Sequence, residues 1–344
     1  MKHKPVMAAV AGALVALLAL SACGGGEDAK MVMIGYGGDL AKPYEEFLIK
    51  PFLEKHKGVE LTQVPSESGD FVAQIKAAAK ASPYDAIPLG ESRLVTAIEE
   101  GWIAPISEAD APVLAEQADI FKDACQGYGV PATYSLIGIA YNPYVVPAPT
   151  SWADMWNEEY SGHVGIVSSS SNLGFAFFVE AAKLAGGGEA NLDVGFDKIA
   201  ELGDFTVAGS PEALAQLFET GEIAIAPLWN NDAAVLKASG MSVEFVRPSE
   251  GAIADVTCMA MTTKTAYKDL TLELLNDVGG VTYQEAAAAA PWYFGPTNKN
   301  AVVAPSEYLV SDEAEFNTLM RIDWQVAAPS RNDITDQFNQ RFGG

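Results

Sequence analysis

The sequence is poor in the residues on which metal, redox and nucleic-acid chemistry rest. Histidine occurs only at His3, His56 and His163, none in a metal-ligand spacing such as His-Glu-x-x-His, so no metal site is expected. Basic residues are scarce: 21 lysines and arginines stand against 45 aspartates and glutamates, a formal net charge of −24. That balance repels nucleic acid and anionic lipid surfaces alike, and its plain counterpart is a solvated acidic surface. Gly-x-Ser-x-Gly, the Walker sequence and Gly-x-Gly-x-x-Gly are all missing, which leaves no motif for acyl transfer, phosphoryl transfer or dinucleotide binding. Glu45-Glu46 and Glu158-Glu159 are adjacent carboxylates of the kind usually solvated. Neither a cofactor nor an enzymatic activity is expected. Beyond the N-terminus no apolar run approaches the roughly 20 residues that span a bilayer.

What is present begins with an export signal. Met1 to Lys4 are basic, Val6 to Leu20 are apolar apart from single glycines, and Leu20-Ser21-Ala22-Cys23 follows. Leu-Ser-Ala-Cys resembles the bacterial lipobox, which implies cleavage after residue 22 and a diacylglyceryl group on Cys23; two acyl chains anchor a protein stably. The alternative is an ordinary cleaved signal with an incidental cysteine. Residues 23–30, with Gly24-Gly25-Gly26, read as a flexible tether. The expected location is therefore outside the cytoplasmic membrane, held to it by the lipid alone. Once Cys23 is assigned, Cys125 and Cys258 remain, either as a disulfide in an oxidising compartment or as two buried thiols.

Apolar periodicity predicts strands at Met31 to Tyr36, Val59 to Val64 and Tyr84 to Leu89, alternating with helices at Pro43 to His56 and Phe71 to Ala81. This is the pattern of a parallel sheet covered on both faces, whose ligands sit at the carboxyl ends of the strands. A long β run over Val130 to Asn142 leads through Pro143, Pro147 and Pro149 into a second βα series that ends at Ile223 to Trp229. Further β runs at Val243 to Val246 and Ala252 to Met261 precede helices from Lys268 onward. The expected division is a first lobe over 31–135, a second over 136–250, and a return to the first with C-terminal helices over 251–344.

Several segments occur in a familiar order: Tyr84-Asp85 to Gly101-Trp102-Ile103, Val130-Pro131 to Ile139-Ala140-Tyr141-Asn142, Thr150-Ser151-Trp152-Ala153-Asp154-Met155-Trp156 before Tyr160-Ser161-Gly162, Ile225 to Trp229-Asn230, and Gly295-Pro296-Thr297-Asn298. In this the mature chain resembles the spermidine/putrescine-type periplasmic binding proteins. The resemblance implies an α/β, two-lobed periplasmic-binding-protein fold of type II, closing on a small solute at a hinge. It also implies a monomer that serves an ABC permease and its ATPase. Trp229 falls on the family's pocket tryptophan. Gly37 and Gly38 stand where an aromatic residue is usual, and Ser168 to Ser171 stand where carboxylates are usual, a departure from the polyamine pattern.

Read without the resemblance, Ser168-Ser169-Ser170-Ser171-Asn172 lies between a strand and a helix. Hydroxyls and free N–H groups there suit an anion, or else one serine caps the helix and the rest are loop. Arg93 either adds a counter-charge from the opposite lobe or is solvated. The candidate ligand-binding residues are Tyr36, Gly38, Asp39, Glu91, Ser92, Ser169, Ser170, Asn172, Trp229, Asp232, Asp255 and Tyr293. The expected ligand is amine- or amino-acid-like with an anionic group, the alternative being a true polyamine.

Overall fold

The computed structural model describes residues 29–65 and 84–343, apart from 311 and 318. The signal segment, Cys23 and the helix expected over Phe71 to Ala81 lie outside the described residues.

The first strand, β1 (Ala29–Gly35), pairs in parallel with β2 (Val59–Pro65). It starts inside the stretch read as tether, because Ala29 and Lys30 take up register with Val59 and Glu60. Between the strands a continuous helical stretch, α1 (38–55), begins earlier than its apolar spacing predicts. Its middle, Glu45–Ile49, is π-wound. Pro51 has no N–H to offer the Phe47 carbonyl and its ring crowds that carbonyl, and one wider turn relieves both.

The chain continues through β3 (Ala86–Gly90), α2 (Glu91–Glu99) and α3 (Asp119–Ala124) to the twelve-residue β4 (Val130–Tyr141), buried throughout. Then follow β5 (Val164–Val167), α4 (Asn172–Leu184), β6 (Phe205–Ala208), α5 (Pro211–Thr220), β7 (Ile225–Trp229) and α6 (Asn230–Ala238). The short β8 (Glu244–Val246) precedes β9 (Ile253–Met261), α7 (Lys268–Gly279), α8 (Val281–Ala288) and the C-terminal α9 (Arg331–Phe342). The strand order is β2-β1-β3-β9-β4-β7-β5-β6, with β8 on β4.

Pairing is parallel at both ends of this sheet, while β9 is antiparallel to β3 and β4, and β4 to β7. The β4/β9 ladder therefore joins two parallel units, and the fold is two-lobed. The cores divide accordingly. Met31, Phe52, Leu274 and Tyr283 fill one face of the β1–β3 unit, and Leu94, Phe121, Tyr134 and Phe316 fill the other. Phe175, Phe178, Phe196 and Leu228 form the core around β5–β7, where α9 adds Ile334 and Phe338. Each ring withdrawn from water contributes about 2–3 kcal/mol. β4 changes sides midway: Leu136 belongs to the first unit, Ile137 and Ile139 to the second.

Cys125, just past α3, and Cys258 on β9 are disulfide-bonded, with Cα atoms 5.7 Å apart and a sequence separation of 133. For a loop of that length the chain-entropy argument gives a stabilisation of about 5 kcal/mol.

Candidate functional site

The carboxyl ends of β1, β3 and β7, the start of α4 and the middle of β9 converge on a cavity of about 510 Å³. Crossovers in an open α/β sheet leave their crevice at this place.

Just past β1 comes Tyr36, with its ring stacked between Tyr44 and Phe294 at centroid distances of 5.6 and 5.5 Å. Its hydroxyl lies 3.3 Å from Thr257 Oγ1, and burial pushes its pKa up to about 12. Gly38 supplies the turn after it, at φ 57°, a left-handed value that suits a residue without Cβ.

From β9 come Asp255 and Thr257, two residues apart and so on one face of the strand. Asp255 Oδ1 accepts the Glu91 N–H at 3.0 Å. Burial, and then the charge of Glu91, push the Asp255 carboxyl up to about 7. Glu91 is itself tied down: Arg321 Nη2 donates to its two oxygens at 2.9 and 2.8 Å, and the Val256 N–H donates to Oε1 at 3.1 Å. Burial raises the Glu91 pKa while Arg321 pulls it the other way.

The second lobe contributes Trp229 at the end of β7, Asn231 and Asp232 in the first turn of α6, and Glu212 from α5. Burial, then the Glu212 charge, push the Asp232 carboxyl up to about 7. Ser171 and Asn172 add the N-terminus of α4. Ser171 Oγ accepts the Gly174 N–H at 2.9 Å, so this serine caps the helix. Arg93 lines the opposite wall and donates to the Ser170 carbonyl at 2.7 Å, a bond across the cleft. Burial lowers its pKa to about 10.

Of the twelve candidate ligand-binding residues, Tyr36, Gly38, Asn172, Trp229, Asp232 and Asp255 line this cavity, as do Gly37, Arg93 and Ser171, and the other six candidates lie elsewhere. Asp39 turns to solvent and pairs with Lys42 at 2.6 Å. Glu91 and Ser92 are buried behind the wall, Ser92 accepting a bond from Arg331 at 2.6 Å. Ser170 Oγ bonds to Ser168 Oγ, and only the Ser170 carbonyl meets the arginines. Ser169 is fully buried with its hydroxyl unpartnered among the described residues. Tyr293 packs on Tyr308 at 4.9 Å, and its neighbour Phe294 faces the cavity instead.

Thr257 was missed in the sequence, although its two-residue offset from Asp255 on a β run could have found it. Arg321 and Arg331 had no local signal, since α9 and the segment before it reach the site only through tertiary packing. Asn230, beside the pocket tryptophan, is structural: its amide accepts the Leu136 N–H at 2.8 Å and donates to the carbonyls of Tyr293 and Tyr308 at 2.9 and 3.0 Å. Among the described residues no three His, Cys, Asp or Glu side chains are grouped to hold a metal ion, and no helix is long and apolar enough to cross a membrane.

Comparison with known proteins agrees with this architecture. The family model described as "Bacterial extracellular solute-binding protein" matches residues 48–318. The spermidine/putrescine-binding periplasmic protein of Escherichia coli K12 is 22% identical over 270 residues, covering 76% of this chain and 75% of that protein. An ABC transporter structure from Clostridium perfringens superposes with a TM-score of 0.71 at 23% identity, covering 91% of this chain and 99% of that one. The Atu4243-GABA receptor superposes with a TM-score of 0.71 at 18% identity, covering 91% and 97%.

Proposed function

Because this chain belongs to the bacterial extracellular solute-binding proteins, we propose that it captures a small organic solute carrying both an ammonium and an anionic group, and delivers it unchanged to an ABC permease and its ATPase. The observation that carries this reading is the lining of one cavity by opposite chemistries: Asp232, Asp255, Tyr36 and Trp229 on the one hand, Arg93 and the start of α4 on the other.

Two carboxyls pushed up to about 7 are costly to ionise while the cavity is empty. An ammonium placed beside them restores ionisation, and an aromatic face adds cation–π attraction of about 0.5–2 kcal/mol. At the start of α4 the helix dipole favours an anion by about 0.3–2 kcal/mol before any hydrogen bond is counted. The name of the Atu4243-GABA receptor shows that this fold serves a zwitterion elsewhere. A second reading, a true polyamine ligand, is favoured by the name of the Escherichia coli relative together with the presence of two cavity carboxyls.

Calorimetric titration with γ-aminobutyrate, an aminophosphonate, putrescine and spermidine separates the two. The expected result is binding of a zwitterion, with a stability gain of about 2.7 kcal/mol at a hundred times its dissociation constant. Submicromolar binding of spermidine or putrescine with no response to the zwitterions overturns it.

The proposal includes a monomer anchored at the membrane by a lipid on Cys23, which rests on the Leu20-Ser21-Ala22-Cys23 sequence. Cys23→Ser is expected to move the protein from the membrane fraction to the soluble one. Unchanged membrane association refutes the anchor.

A further inference from the structure

Arg331 is 3% exposed, stacks over the Phe175 ring at 5.0 Å and belongs to α9, far from the cavity in sequence. Its guanidinium is spread over both lobes: Nη1 donates to Ser92 Oγ at 2.6 Å and to Asn172 Oδ1 at 2.8 Å, and Nη2 donates to the Ser170 carbonyl at 2.9 Å. A guanidinium only donates, so the Asn172 atom that faces it must be the oxygen. The amide nitrogen is thereby turned the other way, toward the cavity that Asn172 lines.

On that side the chain makes a close approach. A Cβ added to Gly90 would lie 2.7 Å from Asn172 Nδ2 and 2.4 Å from Asp255 Oδ2. A donor from the second lobe and an acceptor on β9 therefore converge on one glycine, where any side chain would push them apart. No protein acceptor among the described residues takes a hydrogen bond from the Asn172 amide nitrogen.

The geometry points to Asn172 as a specificity-determining donor to the solute, and to Arg331 as the positioning residue that fixes its amide so that only N–H faces the cavity. Asn172 then favours a carboxylate or another acceptor oxygen and rejects a second ammonium, while Asp255 beside it takes the amine. This rests on the reading of the cavity as a site for a solute with both groups, and it adds which side chain chooses the acceptor end and what orients it.

The test uses two probes of equal carbon count, γ-aminobutyrate and putrescine, titrated calorimetrically into the full chain and its variants. The wild-type protein is expected to prefer γ-aminobutyrate. Asn172→Asp keeps the size and replaces the donor with an acceptor; it is expected to weaken γ-aminobutyrate by roughly tenfold or more and to leave putrescine unchanged or tighter, the scale of one hydrogen bond to a charged group. Arg331→Met frees the amide to rotate and is expected to weaken γ-aminobutyrate several-fold, with Arg331→Lys, which retains a donor, restoring most of the loss. A merely structural role for Arg331 would weaken both probes alike. Binding of γ-aminobutyrate that Asn172→Asp leaves unchanged, or lowers equally with putrescine, overturns the assignment to Asn172 and leaves the zwitterion reading standing. Binding of putrescine alone by the wild-type protein overturns both.

Discussion

Asp255 and Asp232 face the same cavity, and burial pushes both carboxyls up to about 7, yet they are built differently. Asp255 is held. Its Oδ1 takes the Glu91 N–H, Glu91 is clamped by Arg321, and the charges of Arg321 and Arg331 act on it. Among the described residues Asp232 has no such partner, and burial and the charge of Glu212 shift it. One acid belongs to a network that ties β9 to the start of α2; the other carries a burial cost that no partner among the described residues offsets. Sites that bind ligand commonly retain such locally destabilising groups.

The difference is broken most severely at Arg321. Its partner Glu91 is buried, and an ion pair broken on one side leaves an uncompensated charge, at a cost of about 3 kcal/mol where one partner keeps some contact with water. Arg321→Met is therefore expected to lower the unfolding free energy by about 3 kcal/mol in urea titration. Glu212→Gln, the matching change beside Asp232, should stay within about 0.5 kcal/mol of wild type. Equal effects of the two substitutions would show that the Asp255 network carries no more of the fold than the surroundings of Asp232.

That network is also where sequence reasoning stopped. Strands β1 to β4, β7 and β9 were legible because apolar runs and alternation record burial directly, and the long stretch over Val130 to Asn142 marked the crossing between lobes. Trp229 was legible because a strand end in an α/β sheet has a known direction. The roles of the serines were not. Whether Ser168 to Ser171 present hydroxyls or carbonyls to the cavity depends on two arginines, one of them 161 residues away, whose guanidiniums share the Ser170 carbonyl. The choice between Tyr293 and Phe294 was likewise open to either side chain until the backbone at Tyr293 took φ 48° and turned its ring onto Tyr308.

The finer contrast lies in pH. An aspartate ordinarily titrates near 4, and between there and 7 the unfolded chain has released a proton that folded Asp232 still holds. The folded state binds more protons in that window, so this group's contribution makes stability fall as pH rises from about 4 to 7, with the loss complete above 7. A carboxyl moved that far is penalised by roughly 4 kcal/mol when ionised, and its opening onto the cavity reduces this to about 2 kcal/mol. Asp232→Asn is therefore expected to raise the unfolding free energy at pH 8 by about 2 kcal/mol in the absence of solute, to leave it nearly unchanged at pH 4, and to abolish binding of an ammonium. At Asp255 the same relief of charge is offset by the lost attraction to Arg321 and Arg331 and by a weaker acceptor for the Glu91 N–H, so Asp255→Asn should lie within about 1 kcal/mol of wild type at pH 8. Urea titrations of the three proteins at pH 4 and pH 8 measure both differences. A stability gain at pH 8 for Asp255→Asn as large as that for Asp232→Asn would mean that Asp255, with its hydrogen bond from Glu91, is no better accommodated than Asp232.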